Sequence, residues 1–296
     1  LMWGELAALG TAVCWSFTAM FFSYAGRRIG SGVVNRSRLL FACVYLAILH
    51  RLLLGAFFPA HVEPFRWGWL AVSSLLGLVL GDAFLFRAYV LIGPRLAMLV
   101  MSTVPIFSVL FGALLFGEAI TPLEMLGIAL AVAGVGWVVT EGQSDARLGD
   151  SHTYRRGLFF ALLGALGQVT NLVTARYALV DGFAPLSATL IRVALAMVVL
   201  WAMAAARGQA ADTVRQWGDR RALRAVLLGA LVGPALGIWL SLVAVQNARL
   251  GIASTLMALP PVLLIPLEYA AFRQRISRRG VAGTLVALAG VALLFW

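Results

Sequence analysis

Apolar residues run along the chain in ten long stretches, at about 4–25, 31–54, 67–91, 94–117, 121–140, 156–179, 184–206, 222–247, 250–272 and 279–296. As α-helix each is long enough to cross a bilayer core, which takes roughly 20 residues. The second and third carry internal charges. Most breaks between stretches are a few residues long, which predicts tight helical hairpins. The stretch 141–156 is longer and polar, with Gly142, Ser144, Gly149 and Ser151, and it predicts a linker.

One hairpin organises the pattern. The 22 residues 96–117 carry no charge, and Glu118 ends the run. Thr121-Pro122-Leu123-Glu124 then offers a capping threonine, a proline at the first helical position and a glutamate three residues after the cap, so a new helix starts at once. A degenerate copy closes the chain. A shift of 156 residues lays Gly127, Ala133, Gly134 and Val135 over Gly283, Ala289, Gly290 and Val291, and Pro105 over Pro261. In the copy Ser277 stands for Thr121 and Gln274 for Glu118, so the capping logic persists without the carboxylates. The chain therefore reads as two related halves, 1–141 and 156–296, joined by 142–155. With five helices in each half, the second must enter the membrane from the opposite side. The predicted fold is all-α and membrane-integral: ten transmembrane helices as two inverted five-helix repeats around a central cavity, the architecture of alternating access.

The run GEAITPLEMLGIALAVAGV resembles the end of an EamA-type repeat of the drug/metabolite transporter superfamily, and two such repeats would cover almost all of the 296 residues. Within that superfamily the chain looks most like a bacterial exporter of amino acids and related metabolites. The resemblance implies a multi-pass protein of the bacterial inner membrane, with aromatic amino acids among its substrates and both termini in the cytoplasm.

Composition reaches the same class independently. A mean hydropathy of +0.94, with 62% hydrophobic and 12% charged residues, suits a polytopic membrane protein and not a soluble globule. The net charge of +11 comes from arginines spread through short gaps between apolar runs, so headgroup contact explains them better than nucleic acid. Cys14 and Cys43 fall inside spans, which predicts neither disulfide nor metal site. His50, His61 and His152 are all expected in loops. With no histidine in a span and one deep carboxylate, the cluster a membrane enzyme needs is missing. No cofactor is expected. The expected partners are a small amphipathic solute and the bilayer, with the chain acting as a monomer.

Polar residues inside spans carry the functional expectation, because each costs free energy in lipid and must face the bundle or a cavity. The first and sixth spans align at an offset of 153, pairing Trp15 with Gln168 and Thr18 with Asn171. The fourth and ninth spans repeat the pattern, with Met98, Met101 and Pro105 matched by Ser254, Met257 and Pro261. These residues, with Trp239, are the candidate chamber; hydrogen bonding between helices, or plain core for the methionines, fits the same positions. Gly77-xxx-Gly81 in the third span matches Gly229-xxx-Gly233 in the eighth at an offset of 152, a pattern of helix contact or of a hinge. Prolines 105, 234, 260, 261 and 266 lie in apolar runs and predict kinks. Arg38 and Arg192 match at an offset of 154, each close enough to a helix end to snorkel or pair, which suggests a scaffold role. Asp82 is deep in the third span with Pro234 opposite it in the other half, and Glu268 is expected at the interface. Asp82 is either a proton-coupling acid or the ion-pair partner of Arg87 or Arg38.

The reading is a secondary transporter. Multidrug or lipid transport, a channel, and a non-transporting interaction subunit are its alternatives. Charge and resemblance disagree on orientation. Fifteen arginines lie in loops opposite the termini, linker included, against four on the termini's own side, which puts both termini outside, contrary to the resemblance.

Overall fold

The computed structural model describes residues 3–107, 121–146, 151–248, 253, 256–264, 267 and 277–293. Among these the chain is helical and contains no strand. Helices α1 (Trp3–Ile29), α2 (Ser31–Leu54), α3 (Pro64–Ser73) and α4 (Asp82–Met101) build the first part, and α5 (Pro122–Ala146) closes it. Helices α6 (Ser151–Ala178), α7 (Pro185–Ala206), a short α8 (Ala210–Gln216), α9 (Arg220–Ala230), α10 (Ile238–Asn247) and α11 (Arg278–Leu293) follow. Among the described residues six stretches are long and apolar enough to cross a membrane: Trp3–Ile29, Ser31–Leu54, Pro64–Met101, Ser151–Ala178, Pro185–Ala206 and Arg220–Asn247. Large apolar side chains such as Val44, Leu52, Val132, Val198 and Leu285 point outward, a surface that lipid covers and water would not.

The stretch Pro64–Met101, 38 residues long, is not one straight span. Gly93 takes φ +81° ahead of Pro94, a left-handed conformation open to glycine, and breaks α4 there. The Tyr89 hydroxyl donates to Met98 Sδ at 3.1 Å. In a straight helix nine residues would hold these groups about 13.5 Å apart. The chain therefore folds back at Gly93, where the sequence pattern separates its third and fourth stretches.

Of the predicted proline kinks, the one at Pro234 falls in a widened turn, and a second widened turn forms in the other half. Ser74–Gly81 and Leu231–Gly237 are π-helical, joining α3 to α4 and α9 to α10. Pro234 lies in the second, but the first has no proline, so the widened turn is not a proline effect. The polar stretch 141–156 is shorter as a linker than its composition predicts, since α5 runs on to Ala146 and α6 starts at Ser151. His50 lies in the last turns of α2 and His152 in the first turn of α6, not in loops. His50 is buried because its ring bridges the Ala56 carbonyl and Ser187 Oγ, 3.0 Å from the latter.

The tightest packing joins parts of the chain far apart in sequence, and it runs antiparallel. Along α1, Gly4, Cys14, Thr18 and Phe22 meet Asn247, Gly237, Gly233 and Gly229 in turn, so the number falls on one strand of contact as it rises on the other. Along α6, Gly157, Gly164, Gly167 and Asn171 meet Ile92, Leu85, Gly81 and Gly77. Helices α5 and α11 do the same, with Gly134 against Ala287 and Gly290 against Ala131. Glycine and alanine stand at these crossings because in lipid helices associate through close backbone approach. The contacts also correct the register of the two halves. Asn171 sits on Gly77 and its match Thr18 sits on Gly233, which equates Gly77 with Gly233 at an offset of 156, not with Gly229 at 152. The ends of the two π segments, Gly81 and Gly237, keep the same 156.

Helix starts follow the chemistry of their caps. Ser277 Oγ accepts the Gly280 amide at 2.9 Å, as the capping serine predicts. Asp219 caps α9 by accepting the Arg221 and Ala222 amides, both at 3.1 Å. Arg66, counted among headgroup arginines from sequence, is buried instead: it donates to the carbonyls of Ala178 and Val180 at 2.7 and 2.8 Å, closing the C-terminal end of α6. The hinge residues Glu118, Gln274 and Arg275, together with Pro266 and Glu268, lie outside the described residues.

A central cavity between the two halves

Six of these helices and both π segments converge on one cavity of about 110 Å³. Trp15, Thr18 and Phe22 reach it from α1, and Gln168, Asn171 and Leu172 from α6. Met98 and Met101 approach on the second leg of α4, followed by Ser102 and Pro105, while Met257 and Pro260 come from the matched region of the other half. Leu78 belongs to the first π segment and Gly233 and Pro234 to the second, so each wide turn opens its wall toward the same space. π turns recur at functional sites because the extra residue re-aims side chains and frees backbone groups.

Of the sequence candidates, Trp15, Thr18, Met98, Met101, Gln168, Asn171 and Met257 line this cavity. Trp239 does not: it packs into a separate cluster with Leu39, Leu46, Leu190 and Val193, where α2 meets α7. Ser254 lies outside the described residues. Arg87 is exposed, and the partner of Asp82 is Arg38.

The charges form two unlike arrangements. Arg38 is 3% exposed and ion-paired with Asp82, which is 16% exposed. Arg38 Nε donates to Asn35 Oδ1 at 3.0 Å, and its guanidinium lies 4.6 Å over the Phe86 ring. That stacking lets a weakly hydrated cation stay inside the bundle. Arg192 is 1% exposed and donates to Asn171 Oδ1. Asn171 in turn takes a hydrogen bond from Ser73 Oγ at 2.7 Å and gives one to Gln168 Oε1 at 3.1 Å, while Ser74 Oγ donates to the Arg192 carbonyl at 2.7 Å. An amide thus stands where Arg38 has a carboxylate. With the register at 156, the position equivalent to Asp82 is Ile238, which also lines the cavity. Neither arginine snorkels to a helix end, as their places in the sequence suggest; both are held at the cavity wall.

Two buried polar atoms of this wall, Arg192 Nε and Thr18 Oγ1, have no hydrogen-bond partner among the described residues. Sequence reasoning misses Arg192 as a cavity residue, although an arginine recurring symmetrically in an otherwise uncharged run is a signal for it. It also misses Phe22, Phe86, Tyr89 and Ser241, which look like ordinary members of apolar runs.

The profile of the EamA-like transporter family matches residues 2–140 and 155–296. An uncharacterized transporter of Archaeoglobus fulgidus is 24% identical over 295 residues, covering 98% of this chain and 96% of that protein. A crystal structure with 21% sequence identity superposes with a TM-score of 0.65, covering 98% of this chain and 96% of its own, a likeness of fold.

Proposed function

The chain belongs to the EamA-like transporter family of the drug/metabolite transporter superfamily, and from that premise we propose that it is a secondary transporter exporting small amphipathic metabolites, amino acids with aromatic side chains included, by alternating access. In this reading ten helices form two inverted five-helix repeats, over 1–141 and 156–296, with 142–155 joining them. The reciprocal antiparallel contacts of α1 with α9 and α10, of α6 with α3 and α4, and of α5 with α11 support the inversion. The observation that carries the function is the cavity: it is walled from both halves, and each half brings one π turn to it. Rocking one half against the other would then open it to alternate sides.

Trp15, Met98, Met101 and Met257 offer soft, polarizable surface for an apolar body, and Thr18, Gln168, Asn171 and Arg192 offer polar contacts. At about 110 Å³ the cavity is smaller than the roughly 300–1,000 Å³ of pockets that enclose drug-sized ligands, so an aromatic solute requires it to widen. The bacterial inner membrane is the proposed location of this multi-pass protein.

Solute counterflow in proteoliposomes tests the reading. Labelled amino acids and aromatic metabolites should accumulate against matching unlabelled solute, and alanine at Trp15, Met101, Gln168 or Met257 should reduce that flux without changing detergent melting. Wild-type flux in all four variants would sink the assignment of the cavity. Movement of a hydrophobic cationic dye alone would point to multidrug transport instead.

A further inference from the structure

The cavity wall is out of charge balance. Among the described residues that line it, Arg38 and Arg192 are cationic and Asp82 is the one carboxylate. Asp82 is ion-paired with Arg38 and its charge also reaches Arg192, so two cations share one carboxylate. Arg192 has the neutral Asn171 as its partner, and Ile238 occupies the place where symmetry would put a second carboxylate. A buried cation without a counter-charge of its own is costly, and the cost grows as water is excluded. Arg192 nevertheless stays 1% exposed, and among the described residues its Nε–H and the Thr18 hydroxyl on the same wall have no hydrogen-bond partner.

We propose that the transported solute supplies the missing charge: the cavity selects a monoanion, a carboxylate on an apolar body, with Arg192 as the residue that binds the carboxylate. The proposal rests on the transport reading above and narrows its substrate class. A carboxylate accepts charge-assisted hydrogen bonds from a guanidinium, the strongest pairing this wall offers. The apolar body then lies against Trp15, Met101 and Met257. A zwitterion brings no net charge, and its ammonium meets a wall whose carboxylate is already taken by Arg38. A cation adds to the imbalance.

Three probes with one phenyl body separate these cases: 3-phenylpropionate, phenylalanine and phenethylamine, which are anion, zwitterion and cation near neutral pH. Calorimetric titration into the full chain in lipid nanodiscs should show 3-phenylpropionate binding about tenfold or more tightly than phenylalanine, and no measurable heat with phenethylamine. Arg192→Gln should remove that preference, and Arg224→Gln, an exposed position on α9, should keep it. If Arg192→Gln does not fold, the wild-type series decides by itself. Equal binding of phenylalanine or phenethylamine, or absence of 3-phenylpropionate binding, overturns the anion assignment. Counterflow of the same probes distinguishes the two readings. Phenylalanine counterflow without 3-phenylpropionate binding keeps transport and refutes the anion; anion-selective binding with no counterflow of any probe keeps the anion site and refutes transport.

Discussion

Asp82 and Arg38 leave water as a pair, and stranding either one in the bundle is costly. Replacing Asp82 by asparagine keeps the shape but strands the Arg38 guanidinium, a loss of about 3–5 kcal/mol for a broken buried pair. Asp82→Asn should therefore melt well below wild type in detergent, and Asp82→Asn with Arg38→Gln should recover most of the loss. A single variant with wild-type melting that has lost only pH-gradient-driven transport would make Asp82 the proton carrier instead. A second pair lies at the end of α1, where Arg28 Nε meets Asp219 Oδ2 at 2.7 Å. The Arg28 hydrogen bond, helped by the Ala222 and Arg221 amides, holds the Asp219 carboxyl below its ordinary value. A lowered folded pKa gives stability that is present above the unfolded value, about 3.9, and lost as pH falls through it toward the folded one. The melting difference between wild type and Asp219→Asn should accordingly be largest near neutral pH and shrink by about pH 3, a comparison that works because asparagine still caps α9. The polar cavity set was legible in sequence because Gln168 and Asn171 have no reason to sit in lipid. Trp239 was misread because a tryptophan is equally suited to a chamber and to a core. Arg192 was underread because depth along a helix does not reveal which way a long side chain turns.

Close approach decides the packing of elements. A Cβ on Gly134 would run into the backbone of Ala287, and backbone cannot give way as a flexible side chain can. Gly134→Ala should push α5 off α11 and cost about 1–3 kcal/mol, the usual penalty of overpacking. Gly136, two residues on, has nothing within 4 Å of such a Cβ. Gly136→Ala should leave melting unchanged or raise it slightly, since alanine is the better helix former. Wild-type behaviour of both variants would refute the α5–α11 contact. Helix positions were readable at this scale: 31–54 is a mainly apolar stretch despite its internal arginines, and α2 is Ser31–Leu54. The π segments were not. After its leading Ser74, SLLGLVLG has no polar residue to mark which face turns where, so a wider turn leaves the hydropathy pattern as it was. Alignment by identity failed for a related reason: Gly77 and Gly81 match Gly229 and Gly233 letter for letter, while only contacts with Asn171 and Thr18 reveal that the true equivalence lies one turn further.

For the whole molecule, charge and family resemblance disagree about orientation. The Arg28–Asp219 pair and the hydrogen bond from Arg36 Nε to Thr213 at 3.0 Å join the α1–α2 turn to the segment before α9, so these arginine-rich loops share one face. Taken alone, that bias places the face in the cytoplasm and the termini outside. A fluorescent protein fused after Trp296 should then stay dark, and a bright full-length fusion would restore the cytoplasmic termini that the resemblance implies. The α5–α11 crossing bears on how such a chain is made. Gly134 leaves the ribosome 156 residues before Gly290, its counterpart on the facing helix. At about 5–20 residues per second that delay is roughly 8–30 s. Through this interval α5 sits in the bilayer with its closest-packing face open to any other helix that passes, until α11 arrives to shield it.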